Sequence, residues 1–150
     1  MTEPLLIHGT TVAVAGRGVL LRGPSGSGKS DFALRLIAAG ACLVADDQSE
    51  IRRVGGRLLI GAPAAIAGLI EARGIGILRL EAIASAPLAL VVDLAASDRV
   101  ERLPMPRSET ILGITIPAIS LAPFEASAVA KLLLLLSSEA TTEAHALGPL

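Results

Sequence analysis

The chain has 150 residues, a formal charge of −1, 52% hydrophobic and 18% charged residues. That length matches one domain, and that apolar share excludes a disordered chain. The near-neutral charge excludes a general basic field for nucleic acid or membrane, and the 1% aromatic share, with no Trp or Tyr, argues against a nucleic-acid surface built on base stacking.

The lone Cys42 lies in the apolar stretch 36–45. It reads as a buried thiol in a reducing, cytoplasmic compartment rather than as half of a disulfide. The same stretch is too short to cross a bilayer, and residues 1–8 lack the basic and long apolar segments of a signal peptide.

Residues 5–8, 11–15 and 18–22 are short aliphatic runs punctuated by Gly9, Gly16 and Gly23. They predict three strands, the last two joined by a hairpin at Gly16-Arg17-Gly18. The period then changes, with Phe32, Ala33, Leu36 and Ile37 on one face of a helix over residues 29–39 that Gly40 stops. Residues 41–45 read as an all-apolar strand ending in Asp46-Asp47, and residues 49–54 and 57–60 as a hairpin about Gly55-Gly56. Residues 66–71 fit a short helix or a strand equally well. Residues 88–93 and 111–116 predict further strands, the second bounded by Pro117. A helix is expected over 123–136 with Pro123 in its first turn, followed by a flexible tail over 137–150. Hairpins on both sides of the first helix predict one α/β domain over residues 1–136 with a mixed β-sheet, not the repeating βαβ of a Rossmann domain.

The strongest motif is Gly23-Pro24-Ser25-Gly26-Ser27-Gly28-Lys29-Ser30. It fits the phosphate-loop pattern G-x-x-x-x-G-K-[ST] at every fixed position, between a predicted strand and a predicted helix. The glycines let backbone N–H groups curl around phosphate oxygens, and the helix start adds unpaired N–H groups and a positive dipole end. Lys29 can reach the β- and γ-phosphates, and the Ser30 hydroxyl can ligate Mg²⁺. Lys131 is the only other lysine in the chain.

Phosphoryl transfer also needs a metal-holding carboxylate and a group that prepares the nucleophile. Two apolar strands end in acids: the one closing on Asp93 is the better formal Walker B match, and the one closing on Asp46-Asp47 directly follows the phosphate-loop helix. Neighbouring carboxylates facing one site repel, which suits acid–base work, although consecutive strand residues usually point to opposite sides. Glu71 and Arg73, followed by Gly74 and Gly76, fit either a metal-and-phosphate loop or a surface ion pair before a turn. His8 ends a predicted strand, and Arg107 lies in a proline-bearing loop, each open to a structural or a site role.

In order, these pieces resemble the catalytic domain of the bacterial HPr kinase/phosphorylase family. The resemblance rests on His8-Gly9, the loop 23–30, the Asp46-Asp47 strand end, Glu50-Ile51 and Glu71-Ala72-Arg73-Gly74-Ile75-Gly76-Ile77. The last stretch is similar to the family signature Glu-x-Arg-Gly-x-Gly-Ile. The resemblance implies a P-loop fold akin to phosphoenolpyruvate carboxykinase and a cytoplasmic enzyme using ATP and Mg²⁺. The implied substrate is a serine of the phosphocarrier HPr, and the implied reverse reaction uses inorganic phosphate and yields pyrophosphate. It also implies a homo-oligomer, a hexamer in the family.

By residue, the family pattern puts Lys29 and Ser30 on nucleotide phosphates and metal, and Glu71 on the metal. Asp47, with Asp46 beside it, becomes the base in one direction and the acid in the other. Arg73 and Gly74 belong to the signature loop, His8 stands close to the site, and Asp93 becomes structural. The chain is similar to the short alphaproteobacterial form lacking the N-terminal domain. Two departures stand out: Asp31 replaces the usual glutamate, and the later Arg-rich loop is represented only by Met105-Pro106-Arg107-Ser108, with Arg107 as the counterpart. The missing N-terminal domain and the reduced later loop keep in view a nucleotide-sensing regulatory module without turnover, and a P-loop small-molecule kinase is a further alternative.

Overall fold

The sheet is organised by one long apolar strand. The computed structural model describes residues 3–137, so the tail expected over 137–150 lies outside the described residues from 138 onward. The strands are β1 (Leu5–His8), β2 (Thr10–Val14), β3 (Arg17–Arg22), β4 (Cys42–Ala45), β5 (Gln48–Val54), β6 (Arg57–Gly61), β7 (Leu69–Ala72), β8 (Gly76–Arg79), β9 (Ser85–Leu94), β10 (Arg107–Ile111) and β11 (Ile114–Leu121). The helices are α1 (Lys29–Ala38) and α2 (Ala128–Leu136). The near-continuous apolar sequence of β9 suits a strand covered on both faces. Its first residues pair antiparallel with β6, whereas Leu88–Asp93 run parallel to β3 and Val91–Leu94 parallel to β11. The result is a curled mixed sheet in the order β1-β5-β6-β9-β3-β2-β4, with β11 and β10 added beside β9, as the hairpin pattern predicts.

Strand alternation divides the core between the two faces. Leu21, Leu90 and Val92 face α1 and α2, where they meet Phe32, Leu36, Leu132 and Leu136. Leu20 and Val91 face the other way and pack with Ile51, Ile60, Ile111 and Ile116. The separate hairpin β7–β8 lends Ile70 and Leu78 to the helical face, which resolves the open reading of residues 66–71: a short 3₁₀ turn over Ala64–Ile66 followed by a strand.

Several expectations need correction. The turn between β2 and β3 is Ala15-Gly16, both at positive φ (51° and 81°), and Arg17 already belongs to β3. That is the pair of left-handed residues a tight hairpin with matching twist requires. The single strand expected over 111–116 is instead a hairpin between β10 and β11, turned at Leu112-Gly113 with φ of 48° and 83°. Pro117 lies inside β11, opposite Ser108 and just before the stretch that pairs with β9. There it lacks a sheet neighbour on one side, so its missing N–H breaks no ladder bond. The last helix begins at Ala128, because residues 122–128 close successive turns, Glu125 N–H to Ala122 O and Ala128 N–H to Glu125 O. Cys42 is exposed, not buried. It opens the edge strand β4, where Ala41 and Leu43 turn toward the helices and Cys42 toward the other face, which is uncovered at this end although Val44 on the same face is buried.

Gly9 marks the corner where the chain leaves β1 for β2. A Cβ there would stand 2.7 Å from Leu20 Cδ1 and 2.9 Å from the Leu21 carbonyl oxygen, and a backbone atom cannot rotate away. Gly9→Ala is therefore expected to destabilise the fold by about 1–3 kcal/mol. Gly56→Ala, with open space around it, should change stability far less. Urea unfolding of both variants measures the difference.

Candidate functional site

The phosphate loop joins β3 to α1 along the carboxyl ends of the parallel strands, where ligands of α/β sheets bind. Gly28 caps α1 with φ of 96°, a conformation that disfavours any side chain, and no side chain caps the helix start. The first-turn N–H groups and the positive end of the helix dipole are thus left to an anion. Lys29 is buried along its stem, and its Nζ donates to the carbonyls of Gly23 at 2.7 Å and Pro24 at 3.1 Å. Ser27 N–H closes the bend by donating to Pro24 O at 3.0 Å.

The two adjacent aspartates occupy different environments. Asp46 is only 7% exposed. Its Oδ1 accepts from Ser30 Oγ at 2.6 Å and from Thr10 Oγ1 at 3.0 Å, and its Oδ2 accepts from the backbone N–H of Glu71 at 2.9 Å. Asp47 takes a left-handed backbone conformation, φ 67°, which breaks the strand between β4 and β5. Its side chain is 68% exposed and lies 2.9 Å from His8 Nε2, while its N–H donates to Thr10 Oγ1 at 3.1 Å. The corner is braced from beneath: Gly9 N–H donates to Asp47 O, and Ser49 Oγ donates to Gly9 O while contacting Thr11 Oγ1 at 2.8 Å.

The structure therefore brings together Lys29, Ser30, Asp46, Asp47 and His8, with Glu71 joined through its backbone. Arg73 and Gly74 form the exposed turn of β7–β8, closed by Ile75 N–H to Ala72 O. Arg107 stands elsewhere. Asp93 accepts from Arg22 and, at 2.9 Å, from Arg107, and Arg22 also binds Glu109. Burial alone would lower the Arg22 pKa, but the hydrogen bonds it donates to Asp93 and Glu109, together with their negative charges, outweigh it and leave it raised. Asp93 shares a register row with Arg22 and alternates with Leu94, which faces the helices. Its carboxylate thus turns away from α1, which is why the better Walker B spelling is a structural ion pair. The Thr10 hydroxyl serves both aspartates, yet its only sequence signal is a threonine right after His8-Gly9.

The donor set suits Mg²⁺, which takes one or two protein oxygens and draws the rest from phosphates and water. Ser30 Oγ and Asp46 Oδ1 are such a pair. No cluster of three or more His, Cys, Asp or Glu groups forms a protein-only cage among the described residues.

Replacing Asp46 by Ala would orphan the Ser30 and Thr10 hydroxyls and the Glu71 N–H. The expected loss is about 1–3 kcal/mol of stability, whereas exposed Asp47→Asn should stay within about 0.5 kcal/mol. Thermal and urea melts of both variants test the contrast.

Comparison with known proteins converges on one family. A family model described as HPr Serine kinase C-terminal domain matches residues 1–145. The HPr kinase/phosphorylase of Caldicellulosiruptor bescii is 58% identical over 72 residues, 47% of this chain and 23% of that protein. That of Bordetella avium is 37% identical over 127 residues, 77% of this chain and 41% of the relative. The match thus covers less than half the length of these curated relatives. Among solved structures, the Hpr(Ser) kinase/phosphatase of Coxiella burnetii superposes with a TM-score of 0.77 at 26% identity, covering 86% of both chains.

Proposed function

The chain belongs to the HPr serine kinase C-terminal domain family, and from that premise we propose that it transfers the γ-phosphoryl group of ATP to a serine of an HPr-like phosphocarrier protein. The observation that carries this reading is the division of labour between two consecutive acids. Asp46 is buried on the Ser30 hydroxyl at 2.6 Å, while Asp47 is open to an incoming protein beside His8.

In this reading the loop N–H groups and the start of α1 bind the β- and γ-phosphates, and Lys29 exchanges its carbonyl partners for phosphate oxygens. Ser30 and Asp46 would hold Mg²⁺, which when bound neutralises charge developing on the phosphate oxygens. Glu71, whose backbone is tied to Asp46, stands ready to complete that side. Asp47 accepts the proton as the serine oxygen bonds to phosphorus and the bond from phosphorus to the ADP oxygen breaks. His8 fixes the orientation of the Asp47 carboxylate. In the reverse direction the protonated Asp47 returns its proton to the serine oxygen as inorganic phosphate attacks the phosphoserine, releasing pyrophosphate. Positioning and electrostatics supply most of the rate, because the transfer needs little covalent help.

Lys29→Ala is expected to abolish phosphoserine formation. Asp47→Asn should lower it by about 10²–10⁴-fold with nucleotide binding retained. Mass spectrometry of the carrier serine after incubation with ATP and Mg²⁺, together with nucleotide titration, reads both. A fully active Asp47→Asn would remove the assigned base, and an unmodified carrier with bound ATP would favour a sensor.

A further inference from the structure

The chain contains two phenylalanines and no Trp or Tyr. Phe32, on the inner face of α1, is fully buried, whereas Phe124 is 72% exposed. Its position is specific: a Cβ built on Gly28 would stand 2.8 Å from Phe124 Cζ and 3.2 Å from Cε1. The ring therefore rests its tip on the last glycine of the phosphate loop and leaves much of its surface to solvent. The turn that carries it is held from two sides. Arg35 of α1 donates to the Pro123 carbonyl, and Lys131 of α2 binds Glu125 at 3.0 Å. Two polar anchors thus fix a turn whose apolar residue points out over the loop.

Sheet order gives this ring a direction. β9 and β11 run parallel to β3, so the turn after β11 emerges at the same edge as the phosphate loop. β4, antiparallel to β2, which is antiparallel to β3, also ends at that edge and delivers Asp46. The loop thus lies between two flanks, each two strands away: the acids beyond β2, and Phe124 beyond β9. A nucleotide whose terminal phosphate points to Asp46 and Asp47 finds the exposed ring of Phe124 on the opposite flank of the loop.

We propose that Phe124 is the stacking platform for the base of the nucleotide held by residues 23–30. The inference rests on the nucleotide-binding reading of that loop and adds which end of the ligand lies where. An exposed phenyl face binds a planar base by stacking, a contact open to any base because each has a π-face.

The test compares ATP with base-free tripolyphosphate on wild type, Phe124→Ala and Phe124→Trp by titration calorimetry and fluorescence. Phe124→Ala should weaken ATP about tenfold, the order expected for one base on one ring, and leave tripolyphosphate unchanged. Phe124→Trp introduces the chain's only Trp, whose emission should respond to ATP and not to tripolyphosphate. Equal weakening of both ligands would overturn the proposal, since the ring then only shapes the loop through Gly28. Unchanged ATP affinity would overturn it as well, including the case where only the KM for the carrier protein rises and the ring belongs to the partner surface. With wild type and Phe124→Ala binding ATP equally and both forming phosphoserine, the platform falls and the kinase reading stands. A wild type that binds neither ligand removes both.

Discussion

The Asp46 carboxylate is where the separate parts of this molecule meet. Through three hydrogen bonds it joins the start of α1 at Ser30, the start of β2 at Thr10 and the hairpin β7–β8 at the Glu71 N–H. A buried carboxylate is tolerated only when its oxygens are satisfied, and here each donor comes from a different element. The group that stabilises the corner therefore also fixes the distance between the phosphate loop and the residues that would act on its ligand. Loss of that anchor would loosen the fold and the site together.

Chemical differentiation of the two aspartates follows from one backbone choice. An ordinary strand would send the second side chain to the far face. The left-handed turn at Asp47 instead ends β4, starts β5 and presents the carboxylate at the surface beside His8. Such a conformation costs about 1–3 kcal/mol for a residue other than glycine. Thr10 and Gly9 hold it, through a hydroxyl to the Asp47 N–H and a backbone N–H to its carbonyl. Asp93 shows the contrast: a regular strand delivers it to the opposite face, where Arg22 and Arg107 consume its charge.

Much of this was readable from residues alone. The phosphate loop, α1, the hairpin about Gly55-Gly56, the existence of the β2–β3 hairpin (its turn one residue earlier than Gly16-Arg17-Gly18) and the mixed character of the sheet all follow from local pattern, because glycine punctuation and periodicity report local backbone geometry. What failed was decided by tertiary context. The apolar run around Cys42 does not reveal that this residue sits at the uncovered start of an edge strand whose other residues are buried. Leu112-Gly113 turns the chain with a leucine at positive φ, which no turn signal announces. Pro123 resembles a helix start, yet its turn is held by Arg35 and by the Glu125–Lys131 pair. At the site, motif spelling favoured Asp93 and family resemblance favoured Asp46-Asp47. The direction of side chains on β9 explains why the spelling misleads, and Thr10 stayed hidden because a lone threonine carries no pattern.

The Lys29 amine, already bonded to two carbonyls of its own loop, has a consequence for selectivity. Any anion arriving there swaps acceptors rather than filling a void, so its net gain is the difference between two sets of charge-assisted bonds. A singly bonded oxygen offers little over what the backbone already gives. A chain of linked phosphates can reward the ammonium and the helix-start amides at once. In the proposed reading the bend would thereby favour visitors that bring several oxygens over small monovalent ions.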